Sequence, residues 1–160
     1  MFAIDWSNEN LRGAVKLLIA YALALPVGWY REREAHSVGV RTFPLVAMAS
    51  CGYVLMANMP GRFSLDAQSR VLQGLVAGMG FIGGGAILKS EGSVHGTATA
   101  ASIWNTGVLG AAVATDRYWI AVVLSAMNLF ALRVLLPLKL RIDQRGERRV
   151  EPPPQFPPNT

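Results

Sequence analysis

The sequence predicts an all-α fold, a polytopic membrane helix bundle of five transmembrane helices with the N-terminus outside and the C-terminus in the cytoplasm. Three observations carry this expectation. Of the 160 residues, 52% are hydrophobic and only 16% charged, an unusual balance for a water-soluble domain. The charges gather in short stretches and leave runs of roughly 17 to 20 residues nearly free of them, the length a helix needs to cross the hydrocarbon core. Lys and Arg concentrate in the connections that fall on one side, as the positive-inside rule expects of the cytoplasmic face.

The first ten residues, MFAIDWSNEN, hold Asp5 and Glu9 but no Lys or Arg. They lack the basic start of a cleaved secretory signal, so residues 1–10 are expected as an extracytoplasmic N-terminus kept in the mature protein. A transmembrane domain is then expected over residues 11–138. Its spans run near Leu11 to Tyr30, Thr42 to Met59, Val71 to Leu88, Thr97 to Thr115 and Tyr118 to Pro137. Lys16 in the first span and Arg133 near the inner end of the fifth have stems long enough to snorkel toward an interface. The third span is the most apolar. The fourth, TATAASIWNTGVLGAAVAT, is mostly small and weakly polar, which suits a helix buried among others. Ser102, Asn105 and Thr106 are expected to hydrogen-bond to neighbouring helices there, and a re-entrant or four-span arrangement is the alternative. Trp6, Trp29, Tyr30, Tyr118 and Trp119 fall at span ends, where amphipathic rings favour the headgroup region.

Orientation follows from the connections. With the N-terminus outside, the cytoplasmic side receives Arg31, Arg33, Arg41, Lys89, Lys139, Arg141, Arg145, Arg148 and Arg149. The outer side keeps Arg62, Arg70 and Arg117, with Arg12 near its edge. Residues 139–160 begin basic and end in VEPPPQFPPNT, a proline density that cannot form a helix, so a disordered cytoplasmic tail is expected. A net charge of +5 raises the question of nucleic acid. A basic stretch directly after an apolar helix is explained by the positive-inside rule, and no nucleic-acid partner is expected.

Gly78-Met79-Gly80-Phe81-Ile82-Gly83 matches the spacing of a dinucleotide fingerprint, but its context does not. That motif follows a strand and needs an acidic residue about 20 positions on, where this chain has Ile103. The glycines make better sense as packing surface. Gly74 with Gly78, and Gly80 with Gly84, have the spacing that lets two membrane helices meet closely. The cluster Gly83-Gly84-Gly85 is denser than packing needs and suits backbone lining a polar cavity.

No carboxylate lies in mid-span, which disfavours a carboxylate-relay pump. Neither histidine stands in a nucleophile motif, and Cys51, the single cysteine, lies in an apolar span. No catalytic set and no cofactor are therefore expected. The loop from Arg31 to Thr42 reads as a solvated turn by charge alone. Its Glu32, Glu34 and His36, with Glu91 and His95 from the third connection, can instead gather at the cytoplasmic mouth and meet a hydrated cation. The set does not resemble a closed zinc site.

Several motifs in order carry a family resemblance. They are Gly28-Trp29-Tyr30-Arg31-Glu32-Arg33, Gly39-Val40-Arg41-Thr42, the run from Gly78 to Leu88, Val94-His95-Gly96, and Thr99-Ala100-Ala101-Ser102-Ile103-Trp104. With these the chain resembles the MgtC/SapB family of bacterial inner-membrane proteins, from about the first span to the fifth. The resemblance implies a non-enzymatic protein linked to growth in low magnesium, survival in host cells, and modulation of membrane potential or of the proton-translocating ATP synthase. It points to Arg41, Glu91 and the glycines of the third span as functional positions, and Arg31, Glu32, Arg33, His95, Thr99 and Asn105 lie in or beside the matching motifs. Phe43 stands where the family often has histidine. Ala98 and Asn105 stand where virulence-type members have asparagine and cysteine, which weakens transfer of the virulence role. The chain looks like the membrane module without the soluble C-terminal domain that such members often carry.

The resulting expectation is a multi-pass inner-membrane protein for stress or low-magnesium adaptation. Its surroundings are the lipid bilayer, and its expected partners are a second copy of itself and a membrane protein such as an ATPase or ion transporter. The alternative is an oligomeric transporter or channel for a cation or small solute. A continuous polar path would favour the transporter, and a flat glycine-lined face without one would favour the interaction module.

Overall fold

The structure, a computed structural model, describes residues 8–35, 39–59, 61, 63–90 and 93–135. Five α-helices follow one another: α1 (Asn8–Ala35), α2 (Thr42–Ala57), α3 (Leu65–Gly85), α4 (Thr97–Ala114) and α5 (Tyr118–Phe130). Each overlaps one of the five expected spans, although α1 runs on to Ala35, past the expected end at Tyr30. Two short strands, β1 (Leu88–Ser90) and β2 (Ser93–His95), pair antiparallel between α3 and α4, with Lys89 opposite Val94. The expected proline-rich tail lies outside the described residues, as do residues 1–7 of the expected extracytoplasmic N-terminus, while Asn8, Glu9 and Asn10 begin α1.

Among the described residues, only α1 is both long and apolar enough to cross a membrane by length and composition. Helices α2 and α5 are apolar but shorter. Helix α3 begins six residues before the expected Val71, because Ser64 provides a cap that apolar-run length does not register. The Ser64 hydroxyl accepts a hydrogen bond from the Ala67 amide at 3.2 Å. It also ends three residues early, since Leu88 is taken into β1. Gly96 makes the turn from β2 into α4 with φ of +84°, and a Cβ there would lie 1.9 Å from the Ala86 carbonyl oxygen. Only glycine meets both demands.

By its contacts the chain divides after Leu129. The first unit is a bundle whose core is built largely from small side chains: Ala20 and Ala24 of α1, Ala47, Cys51 and Val54 of α2, Leu109 and Val113 of α4, and Ala121 of α5. Helix α2 packs most extensively against α4 and α1. The reason lies in two residues. A Cβ on Gly110 would lie 2.1 Å from the Ala47 carbonyl oxygen, so α4 rests directly on the backbone of α2. Helix α3 packs on α4 through Met79, which fills the space over Gly107, and through Gly83, which faces Ala100. In the second unit, Phe130 ends α5 and a π-helical turn follows over Ala131–Leu135, with Arg133 exposed.

The glycine stripes of α3 depart from the simplest expectation. Among the described residues, Gly83 alone of Gly74, Gly78, Gly80, Gly83, Gly84 and Gly85 would bring a Cβ within 4 Å of another helix. A Cβ on any of the other five would reach none of the described residues within 4 Å, leaving out its own helix's neighbouring backbone. Close helix contact inside the bundle is made by Gly107 and Gly110 of α4 instead, because α4 is the central element and its partners approach from two sides.

Lys16 is not simply snorkelled. Its ammonium donates to the Ala114 carbonyl at 3.0 Å and to Asp116 Oδ2 at 2.8 Å, so α1 holds the C-terminal end of α4 and the turn into α5. A cation at the end of a helix carries favourable dipole interaction as well. Asp116, the one non-glycine described residue with positive φ (60°), also accepts from the Tyr118 hydroxyl at 3.0 Å. The hydrogen bond from Lys16, and secondarily that from Tyr118, holds the Asp116 carboxyl below its ordinary value of 3.8.

Gly110→Ala should lower the melting temperature in mild detergent, by an overpacking cost of about 1–3 kcal/mol, because the Ala47 backbone cannot step aside. Gly84→Ala should be neutral or stabilising, since its Cβ enters open space and alanine favours a helix. Equal destabilisation by both would refute the α2–α4 contact. A depressed carboxyl contributes stability that is present above its unfolded value and lost as pH falls through the folded one. The melting temperature should therefore drop more steeply below about pH 4 in the wild type than in Asp116→Asn. The effect should be small, because the Asp116 side chain is 66% exposed.

Candidate functional site

One end of the bundle holds most of the residues singled out in the sequence. Gly28 and Gly39 bring the connection after α1 onto the backbone of α1 itself. A Cβ on Gly39 would lie 2.5 Å from the Gly28 carbonyl oxygen and 2.5 Å from the Glu32 nitrogen. This contact explains the paired glycines of the two motifs. It places Glu32, whose carboxylate accepts from the Val40 amide at 3.1 Å, as the latch of the folded-back loop. Arg33 stacks over Trp29 with its guanidinium 5.2 Å from the ring centroid, a surface cation–π contact. Arg41 occupies the N-cap position of α2 and is exposed, with no side-chain cap bond.

Arg31, which α1 carries in its last turns and not in the expected loop, differs from Glu32 and Arg33 because it is buried. Its guanidinium donates to the Thr99 hydroxyl, joining the last turns of α1 to the first turn of α4. A buried guanidinium costs several kcal/mol in desolvation unless hydrogen-bonded, so this residue is fixed by the interior and not by solvent. His95 lies on β2 opposite Leu88 and is exposed. His36 and Glu91 lie outside the described residues, as does the Glu34 side chain. Among the described residues no three of His, Cys, Asp and Glu come together as a metal set.

Below Thr99 the same face of α4 continues as a seam of buried polar groups, since residues three or four apart share a helix face. Ser102 Oγ donates to Asn128 Oδ1 at 2.8 Å, and Thr106 Oγ1 turns back to the Ser102 carbonyl at 2.8 Å. Asn105 Nδ2 donates to the Leu124 carbonyl at 3.1 Å, and Ser125 Oγ donates to the Leu23 carbonyl at 2.8 Å. Ser102 and Asn105 thus hydrogen-bond to α5, a neighbouring helix, as expected, whereas Thr106 bonds within α4 itself, because its hydroxyl lies within reach of the carbonyl one turn back. Two of the partners were not anticipated. Ser125 and Asn128 lie in an otherwise apolar run, and that isolation was the signal that could have found them. The Asn128 Nδ2 is buried and, among the described residues, has no hydrogen-bond partner.

Ser102→Ala should strand the Asn128 carboxamide completely and lower stability by about 1–3 kcal/mol. The double change Ser102→Ala with Asn128→Leu should recover most of that loss, because both polar partners are then gone. Additive losses in a thermal-unfolding cycle would show that the two side chains do not interact.

Residues 17–141 match the MgtC family. Among relatives, SrpB of Synechococcus elongatus is 35% identical over 140 residues, covering 80% of this chain and 75% of that one. YhiD of Escherichia coli K12, named as a proposed magnesium transporter, is 30% identical over 138 residues, covering 82% of this chain and 64% of its own. MgtC of Salmonella typhimurium LT2 is 29% identical over 140 residues, covering 84% of this chain and 59% of its own. The chain therefore spans three quarters of SrpB but less than two thirds of YhiD and MgtC. No solved structure matches. The match runs from residue 17 in α1 through α5 and includes Gly28, Arg31 and Gly39, and on it the chain belongs to the MgtC family.

Proposed function

We propose that this chain is a non-enzymatic, multi-pass protein of the bacterial inner membrane that serves adaptation to low magnesium by contacting another membrane protein. In this reading all five helices cross the bilayer, with the N-terminus outside and the end holding Arg31 and Thr99 in the cytoplasm. Helices too short or too polar to span alone are accommodated because the bundle shields them. Support comes from the family, from the name of YhiD, and from a surface that carries large apolar side chains on every helix. Leu18, Phe81 and Trp119 are 67%, 86% and 68% exposed, which lipid covers and water would not tolerate over so wide an area.

The observation that carries the interaction reading is the open glycine surface of α3. Gly74 and Gly78 line a groove of about 740 Å³ between α2 and α3, bordered by Leu45, Tyr53, Leu75 and Ile82. Gly80 and Gly84 lie on the adjoining stripe and open outward. A partner helix could approach both stripes to backbone distance. The transporter reading draws on the buried seam from Thr99 to Asn128, whose unused amide would suit a polar traveller.

Gly78→Leu and Gly84→Leu should leave folded yield and melting temperature close to wild type, since both positions face open space. Both should abolish rescue of growth in magnesium-poor medium in a host that depends on the protein, and Leu75→Ile should not. Full rescue by the two leucine variants would refute the interaction reading. Magnesium flux into liposomes containing only this chain, lost in Asn128→Leu, would establish the transporter reading in its place.

A further inference from the structure

At the end of the bundle opposite Arg31, the first turns of α1 and the turn between α4 and α5 border an open cavity of about 400 Å³. It is lined by Leu11, Arg12, Val15, Lys16, Asp116 and Tyr118. Its charges are unevenly engaged. Lys16 and Asp116 neutralise each other across 2.8 Å, and Lys16 is further tied to the Ala114 carbonyl. Arg12, one turn before Lys16, is exposed and makes no hydrogen bond or ion pair among the described residues, while its charge acts on Asp116. Two cations and one carboxylate stand among the lining residues, which leaves the lining a net charge of +1.

The rest of the lining is apolar and aligned. Leu11 and Val15, four residues apart, form an exposed stripe directly beside the charged stripe of Arg12 and Lys16. Tyr118 closes the far wall, and the adjacent Trp119 projects into the surroundings. A planar guanidinium matches two phosphate oxygens at once, and an apolar stripe running away from it matches a hydrocarbon chain. Aromatic rings at this level are the usual markers of headgroup depth.

We propose that this cavity binds the phosphodiester of an outer-leaflet phospholipid, with Arg12 as the phosphate ligand and the Leu11 and Val15 stripe against the acyl chain. This site rests on the reading of the chain as a membrane-embedded bundle and assigns it a specific lipid contact. It also gives the Lys16–Asp116 pair a second consequence. Lys16 and Tyr118 hydrogen-bond the two Asp116 carboxylate oxygens, so that neither is left to bond Arg12 in place of an anion.

The test uses the full chain extracted from membranes into mild detergent. Phosphatidylglycerol should raise its melting temperature by several degrees, because a ligand that binds only the folded state stabilises it. Glycerol phosphate and inorganic phosphate at the same concentration should not. Arg12→Gln should melt like the wild type without lipid and lose the rise. Arg117→Gln, which removes a cation from the same turn but not from the cavity lining, should keep it. A rise of equal size in Arg12→Gln, or no rise in the wild type, overturns the site. An equal response to inorganic phosphate overturns the lipid assignment. Recovery of the chain in the soluble fraction without detergent would instead overturn the membrane reading on which the site rests.

Discussion

The approach of α4 to the backbone of α2 at Gly110 and Ala47 is the constraint on which the rest of the bundle depends. With no side chain between them the two helices share a core of alanine, cysteine and valine, and the other elements are arranged around that pair. Helix α1 lies against α2, α3 lies on α4 over Gly107 and Gly83, and α5 is joined to α4 by the bonds of Ser102 and Asn105. A close crossing replaces large apolar side chains with many short-range contacts, each weak and together considerable. It also places polar groups of α4 near enough to reach neighbouring helices, so the seam from Thr99 to Thr106 is a product of the same geometry.

The two ends of the bundle are fastened by different chemistry. At one, Arg31 is buried against Thr99 and a loop is folded back over Gly28 and Gly39. At the other, Lys16 spans from α1 to the Ala114 carbonyl and Asp116. Both fasteners use a long cationic side chain on α1 to reach one terminus of α4. Burial distinguishes them. Arg31 is enclosed, where an unsatisfied guanidinium would be very costly, while Asp116 is exposed and its pairing with Lys16 is screened. The buried joint suits a fixed interior, and the exposed one leaves a charged cavity open to its surroundings.

The helices themselves were legible because each apolar run is bounded by charge, glycine or proline, and length alone then limits where a helix can begin and end. Thr42, Thr97 and Tyr118 open their helices where the pattern placed them. The start of α3 was obscured because Asp66, Gln68 and Arg70 interrupt the apolar run, although the helix continues through them from the Ser64 cap. The hairpin of β1 and β2 was obscured because two strands of three residues are too short to show a period.

What the sequence by itself determined was the inventory: five helices, small weakly polar residues on the fourth, glycines in abundance on the third, and a family membership carried by motifs in order. Which glycines are enclosed was decided only by the tertiary structure. Small-residue spacing marks a surface able to meet another helix, but whether a neighbour arrives depends on how the chain turns between elements. The same limit applies to charge. Arg31 and Arg33 are two residues apart and alike in sequence, yet one turns inward to Thr99 and the other outward over Trp29, because successive positions on a helix face different directions and only packing says which direction is the interior.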